Sequence, residues 1–502
     1  MNRFTTRIRL AIAAFGLFSI GSMLAGEPGR ITILHTNDIH ASFTPHEAFW
    51  IKSSPKPLIG GMTELSWAVD SLRKVKPGVL LIDAGDMMTG NPITEYTYRG
   101  AYGGALFEMM NRIGYNLWCP GNHDFDISQD NLRLLTRIAN FPTVSANLVR
   151  ESGGAPVNNK PYTILESNGV KVGVIGLTTT VLNQLIVPAN FKGLKVLSTT
   201  ETAQKYIDEL RSKVDVVAAV THQGVEEDSS LAANVHGLDV IIGGHSHTRL
   251  KHPLRVNHVL IVQTGSNLEN LGVLDLTVEN GRITKYDGNL LPLWYTSERP
   301  ATDLSRFVDS IKTAIDSDYS ETLLTVKTDL KNTVTESALG NFITDAQRTA
   351  SGADIAFMNT HGIRKNVAAG SFTKKDLFEV LPFRNVLVTF PVTGAQVRRI
   401  VQNYLDEHPA IQTSGIRCTY KRGADGKAEI VSLLIDGTAV SDQKVYKAAA
   451  NDYLVSEAKR YLGIEVTNQK YTSFTLFKVV EKKMREDKLI PSAVENRISE
   501  VK

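Results

Sequence analysis

Short β-branched runs alternate with longer helical patterns from Ile31 to about Gly288: Ile31 to Leu34, Val79 to Ile82, Val170 to Ile175, Val214 to Val220, Leu238 to Ile242 and Val259 to Val262. Short apolar runs with little polar alternation are the pattern of strands covered on both faces. Between them, Glu64 to Arg73 and Leu132 to Asn140 carry apolar residues at helical spacing, as crossover helices do. The pattern predicts an α/β fold with a largely buried sheet.

That alternation breaks at Pro292 to Pro300, and the polar, weakly amphipathic stretch from Ala301 to Ser320 predicts a connecting helix. From about Lys331 the chain restarts with a helix around Leu339, Phe342, Ile343 and Ala346, then mixes strands and helices. At 502 residues the chain has length for two cores. The expected organisation is residues 1–26 as an export signal, 27–296 as an α/β sandwich domain, 297–330 as a linker helix and 331–502 as a smaller α+β domain.

Charge and cysteine usage narrow the functional classes. The formal net charge is +3 and no Lys/Arg block is dense, which argues against a nucleic-acid polymer or an acidic membrane surface as partner. Arg3, Arg7 and Arg9 precede an uncharged run from Leu10 to Gly26, the pattern of a signal peptide cut near Ala25 or Gly26. The expectation is an exported protein, periplasmic or extracellular, with no stable membrane insertion after cleavage. No cysteine stands directly after Gly26, which disfavours a lipid anchor, and Cys119 and Cys418 are too far apart to suggest a disulfide framework. Both are expected as buried, small apolar residues.

Five short blocks carry the chemistry: Asn37-Asp38-Ile39-His40, Gly85-Asp86, Gly121-Asn122-His123-Asp124, Thr221-His222-Gln223-Gly224 and Gly243-Gly244-His245-Ser246-His247. Each follows an expected strand or short extended run. In an open α/β sheet the loops at the carboxyl ends of strands converge on one face, so residues distant in sequence meet there. One such block alone is more often a turn than a site. Together they supply imidazoles, carboxylates and an amide in the mixture that holds two divalent ions, whether zinc, manganese, iron or cobalt.

Two cations beside a phosphate ester neutralise the oxygens that repel a nucleophile and lower the pKa of a bound water, so the expected reaction is phosphoester hydrolysis. Asp86 has no adjacent ligand-type residue and suits a bridging position. His123 follows Asn122 directly, so its side chain should point elsewhere, toward the scissile group, as transition-state stabiliser or general acid. Asp126 is placed to hydrogen-bond it and favour its protonated form. His35 is expected as a satisfied core residue, and His46, His236, His252, His258 and His408 receive no role.

These blocks resemble the calcineurin-like metallophosphoesterases, and their order, followed by a second domain, resembles the 5'-nucleotidase family over nearly the whole mature chain. The resemblance implies metal ligands at Asp38, His40, Asp86, Asn122, His222, His245 and His247, with Asp38, His40 and His247 on one ion and Asn122, His222 and His245 on the other. It implies His123 and Asp126 as the catalytic pair. Glu336-Ser337-Ala338-Leu339-Gly340-Asn341, Asn359-Thr360-His361-Gly362-Ile363-Arg364, Leu381-Pro382-Phe383, Asn451-Asp452-Tyr453-Leu454 and the closing Pro491 to Ile498 resemble elements of the family's substrate-binding domain. By that likeness Phe383 and Tyr453 stack on a nucleobase, while Asn359 and Arg364 make polar contacts.

The expected substrate is a small phosphorylated molecule, foremost a 5'-nucleotide. Cyclic nucleotides, nucleotide sugars and sugar phosphates belong to the same chemistry, and a thiosulfonate hydrolase or a silent ligand-binding protein would share the frame. Two positions depart from the family pattern: Thr333 stands where relatives carry Arg, and Lys459 stands where they carry a ribose-binding Asp.

Overall fold

The computed structural model describes residues 28–501 apart from 158, 187 and 424. The export signal expected over residues 1–26 lies outside the described residues. Among the described residues no helix is long and apolar enough to cross a membrane.

The six expected strands form, but they divide between two sheets. Gly29–Thr36 and Val79–Asp83 pair in parallel at the centre of a five-stranded sheet. The other four runs become Val170–Thr178, Val216–His222, Val240–Ile242 and Val259–Val262, consecutive and parallel in a six-stranded sheet. The sheets face each other through Ile31, Ile33, Leu80 and Ile82 on one side and Val172, Val174, Val216 and Ala218 on the other. Alternate residues point outward: Leu34 and Leu81 meet one helical layer, while Ile175, Val217 and Ile241 meet a second. Both faces of every central strand are therefore apolar, which is why the runs lack polar alternation.

The five-stranded sheet is extended by a hairpin, Asn270–Glu279 and Arg282–Pro292, antiparallel to the first strand. Its turn is Asn280-Gly281, both at positive φ (54° and 69°), the backbone that an Asn-Gly pair adopts at little cost. Gly272 of this hairpin faces His35 across the ladder, and a Cβ there would sit 2.0 Å from the imidazole Nε2. His35 is buried as expected, but its Nδ1 has no hydrogen-bond partner, and burial lowers its pKa to about 3. Cys119 and Cys418 are both buried and free.

The connecting helix spans Asp303–Tyr319 and opens with a capping box between Thr302 and Ser305. Leu304, Val308, Ile311 and Ile315 join the core of the first domain beside helices Met62–Val75 and Gly104–Ile113. The helix is thus packed along its length.

The second half is built on a five-stranded mixed sheet, in the order Ile411–Ser414, Ile355–Asn359, Val445–Asn451, Val386–Thr393 and Lys470–Thr475. Helix Ala338–Ser351 buries Leu339, Phe342, Ile343 and Ala346 against one face, and helix Gly394–Glu407 covers the other. Glu336 accepts hydrogen bonds from Asn341 Nδ2 (2.7 Å) and from the backbone N–H groups of Glu495 (3.0 Å) and Arg497 (2.8 Å). Arg497, only 5% exposed, donates in turn to Asp345 (2.8 Å) and to the carbonyl of Thr413. The opening and closing motifs of this half are therefore tied to each other.

Candidate functional site

All five blocks lie on one rim of the sandwich, where the strands Gly29–Thr36, Val79–Asp83, Leu117–Trp118, Val216–His222 and Val240–Ile242 end. The turns that follow are tight. Asp38, His40, Asp86, His245 and His247 all have positive φ, between 48° and 80°, a region costly for a residue with a Cβ. Five of the seven expected ligands in strained backbone is the distribution found where a site overrides local preference. Gly121 has a separate reason to lack a side chain: a Cβ there would lie 2.3 Å from Asp86 Oδ1.

The rim gathers two sets of donors, Asp38 with His40 and His247, and Asp86 with His222 and His245, each with ligand atoms within 4.8 Å of one another. Asp86 lies between the sets, its Oδ2 3.1 Å from His222 Nε2 and 3.9 Å from His40 Nε2. Two ring nitrogens, His40 Nε2 and His247 Nε2, stand 3.0 Å apart.

The hydrogen bonds around these imidazoles decide which nitrogen is free. Nδ1–H of His222 donates to the carbonyl of Ala84 (2.7 Å) and Nδ1–H of His40 to that of Thr89 (3.0 Å), since a carbonyl only accepts. Each Nε2 then presents a lone pair to the centre. His222 Nε2, Asp38 Oδ1 and Asn122 Oδ1 are buried and have no hydrogen-bond partner. Buried acceptors left unpaired and aimed at one another are unfavourable without a cation among them. This donor set therefore fits divalent metal ions.

Electrostatics agree with the ligand forms at His40, His245 and Asp38; at His222 the carboxylates of Asp86 and Asp38 outweigh burial and raise the pKa to about 10, so a cation there takes the place of a proton. Burial, and then the charge of Arg364, hold His40 well below the usual imidazole pKa; burial and His222 bring His245 down to about 4. Burial would raise Asp38, but His247, whose Nε2 lies 3.4 Å from Oδ1, and the charge of His222 outweigh it and lower the pKa of the carboxyl.

His123 belongs to neither donor set, although its ring lies 5.3 Å from that of His40. Its Nδ1 is 2.8 Å from Asp126 Oδ2, its backbone N–H donates to Asp86 Oδ1 (2.8 Å), and its ring is 5.5 Å from that of Phe383. Burial alone would lower the pKa of His123, but Asp126 and Asp86 together raise it. Asp126 is itself held by the Thr89 hydroxyl, 2.6 Å away.

The second domain reaches this rim with Arg364, whose Nη2 is 3.5 Å from His40 Nε2 and whose guanidinium carbon is 5.8 Å from the Phe383 ring centre. Of the four expected substrate contacts, these two lie at the centre. Tyr453 is half-buried with its ring edge-on to Tyr461 at 6.2 Å. Asn359 is buried and accepts a hydrogen bond from Asn451 Nδ2 (3.0 Å), so it ties two motifs together. Thr333 and Lys459 are exposed, and the Thr333 hydroxyl is bonded to the carbonyls of Thr335 (3.1 Å) and Glu336 (3.3 Å).

Three residues important to this geometry received no role above. Asp124, 1% exposed, accepts four backbone N–H groups: Asp86 (3.0 Å), Met87 (3.1 Å), Met88 (3.1 Å) and Gly121 (2.8 Å). It joins the Asp86 turn to the Asn122 turn. Asn37 donates to Asp38 Oδ2 (2.6 Å) and accepts from Thr264, and Asp228 accepts from Thr221 (2.7 Å) and Gln223 (2.9 Å) on either side of His222. Asn37 and Asp124 lie inside two of the blocks, but what distinguishes them is a set of long-range bonds that spacing does not reveal.

Residues 31–249 match the calcineurin-like phosphoesterase family, and residues 319–463 match the 5'-nucleotidase C-terminal domain. Protein UshA of Yersinia enterocolitica is 27% identical, with 89% of this chain and 90% of that protein covered. A 5'-nucleotidase of Diplobatis ommata is 28% identical over 96% of this chain and 91% of its own. Among solved structures, a 5'-nucleotidase precursor from Thermus thermophilus superposes with a TM-score of 0.80 at 26% identity, over 94% of this chain and 99% of that one. The two matches come in the expected order, so this chain joins a calcineurin-like phosphoesterase domain to a 5'-nucleotidase C-terminal domain.

Proposed function

We propose that this protein is an exported, two-metal 5'-nucleotidase that hydrolyses the phosphomonoester of a nucleotide. The observation that carries the reading is the set of buried, unpaired lone pairs on Asp38, Asn122 and His222, together with the 3.0 Å approach of His40 and His247. Asp38, His40 and His247 would hold one ion, Asn122, His222 and His245 the other, and Asp86 both. When bound, the ions neutralise the phosphate oxygens and make a water nucleophilic at neutral pH.

The protein's own groups do the rest. Arg364 meets phosphate oxygens, with a planar fork suited to two of them. His123, kept protonated by Asp126, gives a proton to the departing nucleoside oxygen. Phe383, in line with His123, and Tyr453 flank the base, and Asn359 holds the Asn451 turn that carries Tyr453. Relatives named 5'-nucleotidase support the choice of a nucleotide. Zinc, manganese, iron and cobalt all suit the donors.

Phosphate release from AMP by the metal-loaded mature protein tests the reading. Chelation or His222→Ala is expected to remove at least about three orders of magnitude of activity, as loss of a metal-assisted step does. Metal analysis of the variant should show reduced occupancy with circular dichroism unchanged. A His222→Ala protein that turns over AMP normally would end the two-metal mechanism.

A further inference from the structure

The turn that carries Asp86 is pinned along its backbone. Its carbonyls accept from the segment of the first ligands, Gly85 from Asp38 N–H (2.8 Å), Asp86 from His40 N–H (2.9 Å) and Met87 from Ala41 N–H (2.8 Å), and Asp124 takes the N–H groups of Met87 and Met88. Thr89 comes next, 6% exposed and at φ 67°. A β-branched residue in the left-handed region is a genuine outlier, because its Cβ substituents crowd the backbone there. Gly90 follows at φ 145°, where a Cβ would lie 2.3 Å from the carbonyl oxygen of His40. The corner is forced by its surroundings, and a glycine or asparagine would take the Thr89 conformation at less cost.

What this residue supplies is two bonds in different directions. The Thr89 carbonyl accepts from His40 Nδ1–H (3.0 Å), and its hydroxyl donates to Asp126 Oδ2 (2.6 Å). The same carboxylate oxygen receives His123 Nδ1–H at 2.8 Å. Any residue would offer the carbonyl, whereas the hydroxyl needs Thr or Ser. Asp126 has use for it, because its side chain is 18% exposed and water competes there for the carboxylate. With the hydroxyl in place, Asp126 Oδ2 is fixed between two donors, and the bond at Nδ1 leaves Nε2 of His123 to carry the proton that is transferred. Backbone strain that is kept where it serves an orientation marks a functional constraint.

We infer that Thr89 is a positioning residue for the proton donor: its hydroxyl holds Asp126, and through Asp126 the His123 imidazole, in the orientation that serves the departing oxygen. The inference rests on the reading of His123 as the acid of a phosphomonoester hydrolase. It goes further in placing the control of that acid on the turn that also holds His40. Its consequence is selective. An alkoxide leaving group, such as the 5'-oxygen of a nucleoside, needs the proton in order to leave, whereas p-nitrophenolate is stable as an anion. Loss of the hydroxyl should therefore slow an alkyl ester much more than the aryl ester, a pattern that general loosening of the site or loss of metal would not give.

AMP and p-nitrophenyl phosphate are the probes, used with the metal-loaded full-length mature protein, its Thr89→Val, Thr89→Ser and Asp126→Ala variants, and the combination of Thr89→Val with Asp126→Ala. Valine keeps the branched shape and the backbone carbonyl, so metal content and circular dichroism should match the parent; if they do not, Thr89→Ala, which has no branch to strain, replaces it. The expected result for Thr89→Val is a fall in kcat of at least about tenfold on AMP and less than about threefold on p-nitrophenyl phosphate, with Thr89→Ser within about threefold of the parent on both. Because Thr89 acts through Asp126, adding Thr89→Val to Asp126→Ala should cost less than about twofold more. Equal loss on both esters, no loss on AMP, or a fully additive loss in the combination refutes the inference, while a selective Asp126→Ala keeps the acid role of His123. If Asp126→Ala shows no preference between the esters, the acid reading fails and the inference with it. Should AMP be inert, the nucleotidase reading falls, and glycerol phosphate, another alkyl ester, enters the same comparison; a parent that cleaves no alkyl ester refutes both.

Discussion

Replacing Asp124 by Asn removes a charge and keeps the shape, so it isolates what that carboxylate does. Its Oδ1 accepts the N–H groups of Met87 and Met88, and its Oδ2 those of Asp86 and Gly121. An amide has one oxygen. Its NH2 would face two backbone donors at 2.8 to 3.1 Å, whichever way it is turned, and leave both unpaired in a site that is 1% exposed. Each buried unpaired donor costs roughly 1–3 kcal/mol, so the expected loss is about 2–6 kcal/mol. That is a large part of the roughly 5–15 kcal/mol that holds a domain folded. The Asp86 and Asn122 turns would also separate, and a misplacement on the order of 1 Å is enough to cost about a hundredfold in rate. Urea unfolding followed by circular dichroism gives the first quantity and phosphate release from AMP the second, with metal content measured on the same samples. A variant within about 1 kcal/mol of the parent and within about threefold of its activity would refute the view that Asp124 joins the two turns.

Asp126→Asn should act chiefly on His123, the other side-chain partner of Asp126 being the Thr89 hydroxyl. Asp126 is the first of the two charges that lift the His123 pKa against burial, so removing it lowers that pKa. Because the protonated imidazole is the acid, activity lost as pH rises through its pKa should be lost at lower pH in the variant; a kcat profile with an unmoved alkaline limb would contradict the acid role. Gly272→Ala places a methyl 2.0 Å from the His35 ring between the sheets and is expected to destabilise the first domain by roughly 1–3 kcal/mol or more, read by urea unfolding; a neutral effect would mean the His35 ring is free to move.

Much of this protein was legible without a structure. The six apolar runs became strands, the expected connecting stretch over Ala301 to Ser320 became the helix Asp303–Tyr319, and the donor types in the five blocks already pointed to two-metal chemistry. Strand propensity and apolar periodicity are local, and a metal ligand advertises itself by type and by its place after a strand. Other features follow from contacts between distant residues. Whether Ile31 to Leu34 and Val170 to Ile175 share a sheet cannot be decided from the runs, because a strand buried between two sheets reads the same as one buried between a sheet and helices.

The same limit hid Asp124, whose importance lies in four N–H groups from its own turn and the Asp86 turn, and the bond from Asn451 to Asn359, a residue expected only as a substrate contact. It also hid Thr89, whose hydroxyl and carbonyl meet Asp126 and His40 only once distant turns come together. Sequence alone determined which atoms the site has to offer and in which order the elements come. Tertiary structure decided what those atoms face, because hydrogen bonds, unpaired lone pairs and cavities are properties of distances between residues that the chain keeps far apart until it folds.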